Sequence, residues 1–301
     1  MSLLIHYTLI FTTILAIVAL GGMFSERSGI INLGLEGIMV IGALCGVITL
    51  AILTRYNAPS FLKVVLSILA SMVGGAIYSL LLGFACIKLK ADQTITGTAL
   101  NIMSTALAVV LARIYTKTPS SEIKYDNTIF SIGGNFTITI FTILLIIIVV
   151  LTFLFMYKTK YGLRLMACGE NPQAAAAQGI DVYKERYIGV ILSGILAGLG
   201  GLANIASVNG YWDFKNGVSG IGFLALAVMI FGQWKPLHIL GASVIFGFSQ
   251  TVGILYSGKF GIPSFVYKIL PYVICMIVLA LTSKNSKAPK AEGIPYDVND
   301  R

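Results

Sequence analysis

Long apolar stretches alternate with short polar ones along nearly the whole chain. A helix needs about 20 apolar residues to cross about 30 Å of hydrocarbon, and about nine stretches qualify or nearly qualify. The predicted spans cover residues 3–23, 34–54, 63–87, 93–113, 138–157, 187–208, 217–232, 237–256 and 265–282. The seventh is short, and we interpret it as broken or re-entrant. The pattern predicts an all-α polytopic membrane protein of about nine transmembrane helices, within a range of eight to ten, some of them short or glycine-rich.

The composition supports the same class. Hydrophobic residues make up 57% of the 301 residues and charged residues 11%, which a soluble domain of this size could not accommodate on its surface. We therefore expect residues 1–282 to form the membrane domain, with a long hydrophilic loop at 158–186. The tail 283–301 is rich in Lys, Pro and Asp without an apolar period, so we predict that it is solvated and disordered in the cytoplasm.

The net charge of +9 is explained by positive residues at the ends of the membrane spans. Lys and Arg lie at the ends of spans, and no basic patch is interleaved with aromatic residues, so the partner is the lipid bilayer and not nucleic acid. Placing the 158–186 loop in the cytoplasm puts roughly 13 of the 21 Lys and Arg residues inside. The N-terminus is then expected outside and the C-terminus inside the cytoplasmic membrane.

The 158–186 loop contains a complete short helix. Asn171 suits the N-cap, Pro172 the first helical position and Gly179 the position after the end, around an alanine-rich body. A helix this short is unstable alone in water, so packing must hold it. We interpret it as a docking element, and we expect a bulky charge at Ala175 or Ala176 to disturb docking without unfolding the chain. The element comprises Glu170, Asn171, Pro172, Gln173, Ala174, Ala175, Ala176, Ala177 and Gly179.

Several polar residues lie within or at the ends of apolar spans. A carboxylate deep in a span costs about 2.5 to 3.5 kcal/mol on insertion scales, so Glu36 should face protein or a cavity. It either lines a solute path or, in the simpler interpretation, pairs with Arg27 or caps the break that nearby glycines permit. The other path candidates are uncharged polar residues. Such residues ordinarily form hydrogen bonds between membrane helices. The candidates for a path are Asn32, Glu36, Gln93, Asn101 and Asn204.

A short pattern occurs twice. Ser28-Gly29-Ile30, followed by Leu33 and Leu35, recurs as Ser219-Gly220-Ile221, followed by Leu224 and Leu226. In the predicted topology one copy starts at the inner face and the other at the outer face. This is the arrangement of inverted repeats, whose interrupted spans border transport paths. Chance among apolar residues is the alternative.

Enzymatic motifs are missing from the sequence. It has no G-x-x-x-x-G-K-[ST] phosphate loop, no H-E-x-x-H and no nucleophile elbow, and only two histidines. We therefore expect no enzyme, no catalytic or metal-binding residues and no cofactor in this chain. Uphill transport would need ion coupling or another subunit.

Four segments, in order, resemble the membrane permeases of bacterial ABC importers for simple sugars, branched-chain amino acids and nucleosides. The likeness covers roughly residues 24–282, without a large departure. Residues 26–37 are similar to the E-x-S-G-x-x-N-x-G-x-E-G segment of the nucleoside branch, where sugar and amino-acid members differ. Residues 91–101 and 223–236 resemble two further segments, and residues 162–182 resemble the coupling helix.

The resemblance implies a permease subunit that moves nucleosides across the plasma membrane by alternating access and hydrolyses no ATP itself. Its partners would be a second, longer permease, a cytoplasmic ATPase that binds ATP and Mg²⁺, and an extracytoplasmic nucleoside-binding lipoprotein. The alternatives are a sugar or branched-chain amino-acid permease of the same family, or an ion-coupled secondary transporter.

Overall fold

The computed structural model describes residues 2–126, 128–132, 138–208, 211–257, 269, 271–274, 276–277, 280 and 288–297. Its helices are α1 (Ser2–Arg27), α2 (Leu35–Arg55), α3 (Ser60–Gly83, continued by the π-helical turn Phe84–Lys88), α4 (Gln93–Thr116), α5 (Ile140–Lys158), α6 (Lys160–Glu170), α7 (Pro172–Ala177), α8 (Val182–Val208), α9 (Ile221–Phe231) and α10 (Pro236–Leu255). Four short strands are β1 (Glu122–Lys124), β2 (Ser131–Ile132), β3 (Ile138–Thr139) and β4 (Tyr211–Asp213).

Seven of these helices are long and apolar enough to cross a membrane, which confirms the all-α polytopic prediction. They are α1, α2, α3 with its π-helical turn, α4, α5, α8 and α10, and they coincide with the first six predicted spans and the eighth. The ninth predicted span, 265–282, lies mostly outside the described residues. Its described positions are helical.

The seventh predicted span is a short helix, as its length suggested. Helix α9 has 11 residues, so it is about 16 Å long and covers half of the hydrocarbon core. The chain approaches it through β4 and the 3₁₀ turn Phe214–Asn216. Strand β4 pairs in antiparallel fashion with β1, which places Trp212 opposite Ile123 and ties this approach to the loop that follows α4.

Helix α8 forms the centre of the bundle, with α1, α2 and α3 around it. Glycines bring these helices close together: a Cβ atom on Gly198 would lie 2.3 Å from the Ser71 carbonyl oxygen, and one on Gly201 would lie 2.1 Å from that of Met39. Small residues on α8 thus allow close helix packing. Around this centre α4, α5 and α10 each leave an apolar face uncovered by the chain.

The prediction of a disordered tail is wrong for residues 288–297. This segment folds onto the end of the bundle that carries the 158–186 loop, where Ala291 and Tyr296 are buried. The backbone N–H of Ala291 donates to the Gly169 carbonyl at 2.8 Å, and that of Gly293 donates to the Gly29 carbonyl at 3.2 Å. The content of Lys, Pro and Asp suggested disorder, and composition does not show that Ala291 and Tyr296 find a surface to pack on.

Candidate functional site

Two interrupted spans meet inside the bundle. The segment 28–34 separates α1 from α2, and the turn 217–220 precedes α9. The repeated pattern places a left-handed glycine in each, with φ of +95° at Gly29 and +81° at Gly220. Helices α1 and α8, which lead into the two interruptions, pack in opposite directions, because Gly189 lies against Phe24 and Gly200 against Ile14. This is the arrangement that inverted repeats predict.

Glu36 joins the two interrupted spans. Its Oε1 accepts the backbone N–H of Gly220 at 2.8 Å, and its Oε2 accepts that of Gly222 at 2.7 Å. These N–H groups begin α9 and have no partner inside the helix, and a carboxylate also suits the positive end of the helix dipole. Glu36 therefore caps the buried start of a half-length helix that lies 184 residues away in sequence.

Of the simpler interpretations of Glu36, capping describes the structure and pairing with Arg27 does not. The Arg27 guanidinium donates to the Trp234 carbonyl at 3.2 and 3.3 Å and lies 3.9 Å from the Glu170 carboxylate. The glycines near Glu36 precede α2, but the helix that Glu36 caps is α9, which follows the second copy of the repeated pattern.

Two further path candidates hold the first interrupted span. The Gln93 Oε1 accepts the Ile31 N–H at 2.7 Å. The Asn101 side chain accepts the Gly37 N–H at 2.7 Å and donates to the Leu33 carbonyl at 2.8 Å. Backbone groups that the interruption leaves without helical partners are thereby satisfied.

Asn32 and Asn204 are both buried against α8 or within it. Asn32 donates from Nδ2 to the Ser193 hydroxyl at 2.9 Å. Asn204 lies 11 positions after Ser193 on α8, which is about 16 Å further along the helix, so it is remote from Asn32. Of the five, Glu36 and Asn101 are only partly buried and reach a surface of the chain.

A polar stripe on α4 extends from this junction and was missed in the sequence analysis. Thr94, Thr98 and Thr105 stand on the same helix face as Asn101, and each is at least partly exposed. Their spacing of three, four and seven residues from Asn101 was a usable signal. Gly220 and Gly222, the partners of Glu36, had no such signal, because a carboxylate does not reveal which distant N–H groups it will bind.

Helix α7 lies at the loop-bearing end of the bundle and matches the prediction at both of its ends. The Asn171 Oδ1 accepts the Ala174 N–H at 3.0 Å, Pro172 occupies the first turn, and Gly179 has φ of +77°. Gln173, Ala174 and Ala177 are exposed. Ala175 is not, because it packs with Cys168, Val182 and Tyr296.

The outward face of α7 therefore differs from the one that the sequence suggested. A charge at Ala175 would enter the protein, whereas a charge at Ala174 would meet solvent or a partner. Helix α6 packs against both α7 and the end of α1. Gly169 of α6 lies so close to α1 that a Cβ there would come within 2.2 Å of the Arg27 carbonyl oxygen. Burial raises the pKa of the Cys168 thiol to about 11, so this thiol is protonated and packs as an apolar group.

The described parts of the chain contain no group of three or more His, Cys, Asp or Glu side chains that could hold a metal ion. Backbone groups bind the Glu36 carboxylate, the Asn101 amide and the Gln93 Oε1 atom. The Asn32 Oδ1 and Gln93 Nε2 atoms are buried without a hydrogen-bond partner among the described residues. The Glu36 bonds tie the start of α2 to the start of α9.

Residues 4–279 match the family described as branched-chain amino acid transport system / permease component. The chain is 37% identical to the guanosine ABC transporter permease protein NupQ of Bacillus subtilis and 37% identical to the nucleoside ABC transporter permease protein NupC of Lactococcus lactis, in each case over 98% of this chain and 97% of the relative. It is 26% identical to the nucleoside ABC transporter permease protein NupB of Lactococcus lactis, over 93% of this chain and 80% of that protein.

Proposed function

Because this chain belongs to the family of branched-chain amino acid transport system permease components, we propose that it forms the membrane path of an ATP-driven importer of nucleosides. The observation that carries the proposal is the 37% identity, over 98% of the chain, to permeases named for guanosine and for nucleosides. The segment at residues 26–37, which resembles the nucleoside branch, supports the same solute class.

Helix α7 transmits the conformational change of the ATPase to the membrane spans. Its exposed face, formed by Gln173, Ala174 and Ala177, enters a groove on a cytoplasmic ATPase, which binds ATP and Mg²⁺ and changes shape on hydrolysis. Movement of α7 rocks the half-spans that meet at Glu36, so that the path opens alternately to the two sides. Glu36 holds α2 and α9 together as one moving unit, and Asn101 with the threonine stripe of α4 borders the path.

Two permeases share the path. Lactococcus lactis has two relatives of this chain, NupC and NupB, and NupB is longer than the part that matches here. This supports pairing with a second, longer permease across the exposed polar face of α4. An extracytoplasmic nucleoside-binding lipoprotein delivers solute to the end of the bundle that carries β1 and β4. The chain lies in the cytoplasmic membrane with its N-terminus outside and its C-terminus inside.

The test is uptake of radiolabelled guanosine by proteoliposomes that contain the purified complex. We expect uptake with ATP at the cytoplasmic side, no uptake with a non-hydrolysable analogue, and no effect of ionophores that collapse ion gradients. Excess unlabelled nucleosides should compete, and glucose or leucine should not. Competition by glucose or leucine would contradict the solute class. Uptake that needs an ion gradient and not ATP would contradict the importer.

A further inference from the structure

Residues 288–297 form a strap across the cytoplasmic end of the bundle, and we call them the C-terminal strap. Its backbone is fixed at two points, by the hydrogen bonds from Ala291 to Gly169 at the end of α6 and from Gly293 to Gly29 after α1. Gly293 has φ of +78°, and a Cβ there would lie 2.9 Å from Ile31. The strap thus touches both the support of α7 and the first interrupted span.

Two side chains at the start of α8 bind the strap. Arg186 is 1% exposed and donates from Nη1 to the Ile294 carbonyl at 3.1 Å. A buried guanidinium is costly without hydrogen-bond partners, so this carbonyl matters to it. The Tyr183 hydroxyl donates to the Tyr296 carbonyl at 3.4 Å, and the two rings pack edge to face with centroids 5.3 Å apart. These contacts fix the strap to the most buried helix of the bundle.

Tyr296 packs in the same apolar cluster as α7. The residue is 8% exposed and clusters with Ala175 of α7, Cys168 of α6 and Val182 of α8. Helix α7 has six residues and is too short to be stable alone. The strap therefore supplies part of the surface that holds α7 in place.

The strap also reaches the remaining junctions at this end. Asp297 forms an ion pair with Lys90, which lies between α3 and α4. The Glu292 carboxyl, whose pKa burial raises, interacts with the Glu26 carboxyl. Glu26 in turn accepts the indole N–H of Trp234 at 2.7 Å, in the turn between α9 and α10. One ten-residue segment is thereby linked to α7 and to both interrupted spans.

We propose that the C-terminal strap carries the movement of α7 to the interrupted spans, with Tyr296 as its main positioning residue. This inference rests on the proposed function, because it assigns the strap a part in ATP-driven transport. Packed elements shift as units between discrete arrangements. A push on α7 displaces Tyr296, and the strap passes this displacement to the Gly29 turn through Gly293 and to the α9–α10 turn through Glu292.

The test compares variants of the complete importer in proteoliposomes, with nucleoside uptake and ATP hydrolysis measured on the same samples. Tyr296→Ala should lower the nucleoside taken up per ATP about ten-fold, within the range of couplings between sites, while the ATPase still co-purifies. Tyr296→Phe, which keeps the ring, should restore coupling. Ile294→Ala is the matched control, because that side chain is 56% exposed, and it should behave as the wild type.

Gly293→Val provides a second, independent lesion, since it strains the strap at a left-handed position without altering the Tyr296 cluster. It should lower uptake per ATP in the same way, and it serves in place of Tyr296→Ala should that variant fail to insert. Wild-type uptake per ATP in either inserted variant would overturn the role of the strap. Absence of ATP-driven nucleoside uptake in the wild type would instead overturn the proposed function.

Discussion

The junction at Glu36 and the helix α7 are both polar interruptions of an apolar chain, and they are held in opposite ways. At the junction, side chains bind backbone groups that are remote in sequence, as Glu36 binds Gly220 and Gly222. In α7 the groups that define the helix, Asn171 and Gly179, lie within nine residues of each other. The junction is thus part of the folded core, whereas α7 is a local element attached to its surface. Substitutions at the junction should therefore destabilise the fold, and substitutions on α7 should prevent binding of the ATPase.

The largest effect on folding is expected at Gly222. A Cβ at this position would lie 2.6 Å from the backbone N and Cα of Glu36, which cannot move without shifting α2. Gly222→Ala should therefore destabilise the bundle by about 3 kcal/mol or more, as severe overpacking does. The yield of monodisperse protein after mild detergent extraction, followed by size-exclusion chromatography, measures this.

Gly241→Ala is the matched control for Gly222→Ala. Gly241 lies within α10, and a Cβ there would meet no atom within 4 Å. Alanine also has the higher helix propensity, so the control should be as stable as the wild type or slightly more so. Equal yields from the two variants would mean that α2 and α9 do not approach each other as closely as described.

Substitution of Glu36 itself should have the next largest effect. Glu36→Ala leaves the N–H groups of Gly220 and Gly222 without acceptors, and hydrogen bonds to a charged group contribute about 1.5 to 3 kcal/mol each. We expect a loss of about 3 kcal/mol, seen as a lower midpoint of thermal aggregation. Glu36→Gln keeps one acceptor and should fall between Ala and the wild type. A Glu36→Ala chain that is as stable as the wild type, yet inactive in uptake, would favour a direct role in solute binding over capping.

Two variants that place a carboxylate on opposite faces of α7 test which face is buried and which binds the ATPase. Ala174→Glu places a carboxylate on the exposed face, where surface substitutions change stability by about 0.5 kcal/mol or less. It should therefore leave the isolated chain stable and abolish co-purification of the ATPase. Ala175→Glu places the charge among Cys168, Val182 and Tyr296, and burial of an unpaired charge is costly.

The expected difference between the two variants is in the isolated chain. Ala175→Glu should expose α7 and the C-terminal strap to limited proteolysis even without the ATPase, and Ala174→Glu should not. If Ala174→Glu retained the ATPase and full uptake, the exposed face of α7 would not be the docking surface.

The contrast also explains what could be predicted from sequence. The ends of α7 and of the long spans were predictable because their signals are local: an N-cap, a proline, a glycine and runs of apolar residues. The partner of Glu36 was not, because any of several N-terminal helix ends could have received a carboxylate. The packing of the strap was missed for the same reason, since Tyr296 and Ala291 gain their burial only from residues more than a hundred positions earlier.

The smallest effect is expected from the N-cap of α7, and it tests whether this helix is as local as the contrast implies. Asn171→Ala removes the acceptor of the Ala174 N–H, and loss of such a cap costs about 1 kcal/mol. Hydrogen exchange in residues 172–178 should then accelerate about five-fold, the factor equivalent to that energy, while α2 and α9 keep the wild-type rate. Asn171→Asp keeps the cap and should not accelerate exchange. Faster exchange at the Glu36 junction in Asn171→Ala would show that the two regions are energetically coupled even without the ATPase, through the strap or through the contact of α6 with the end of α1.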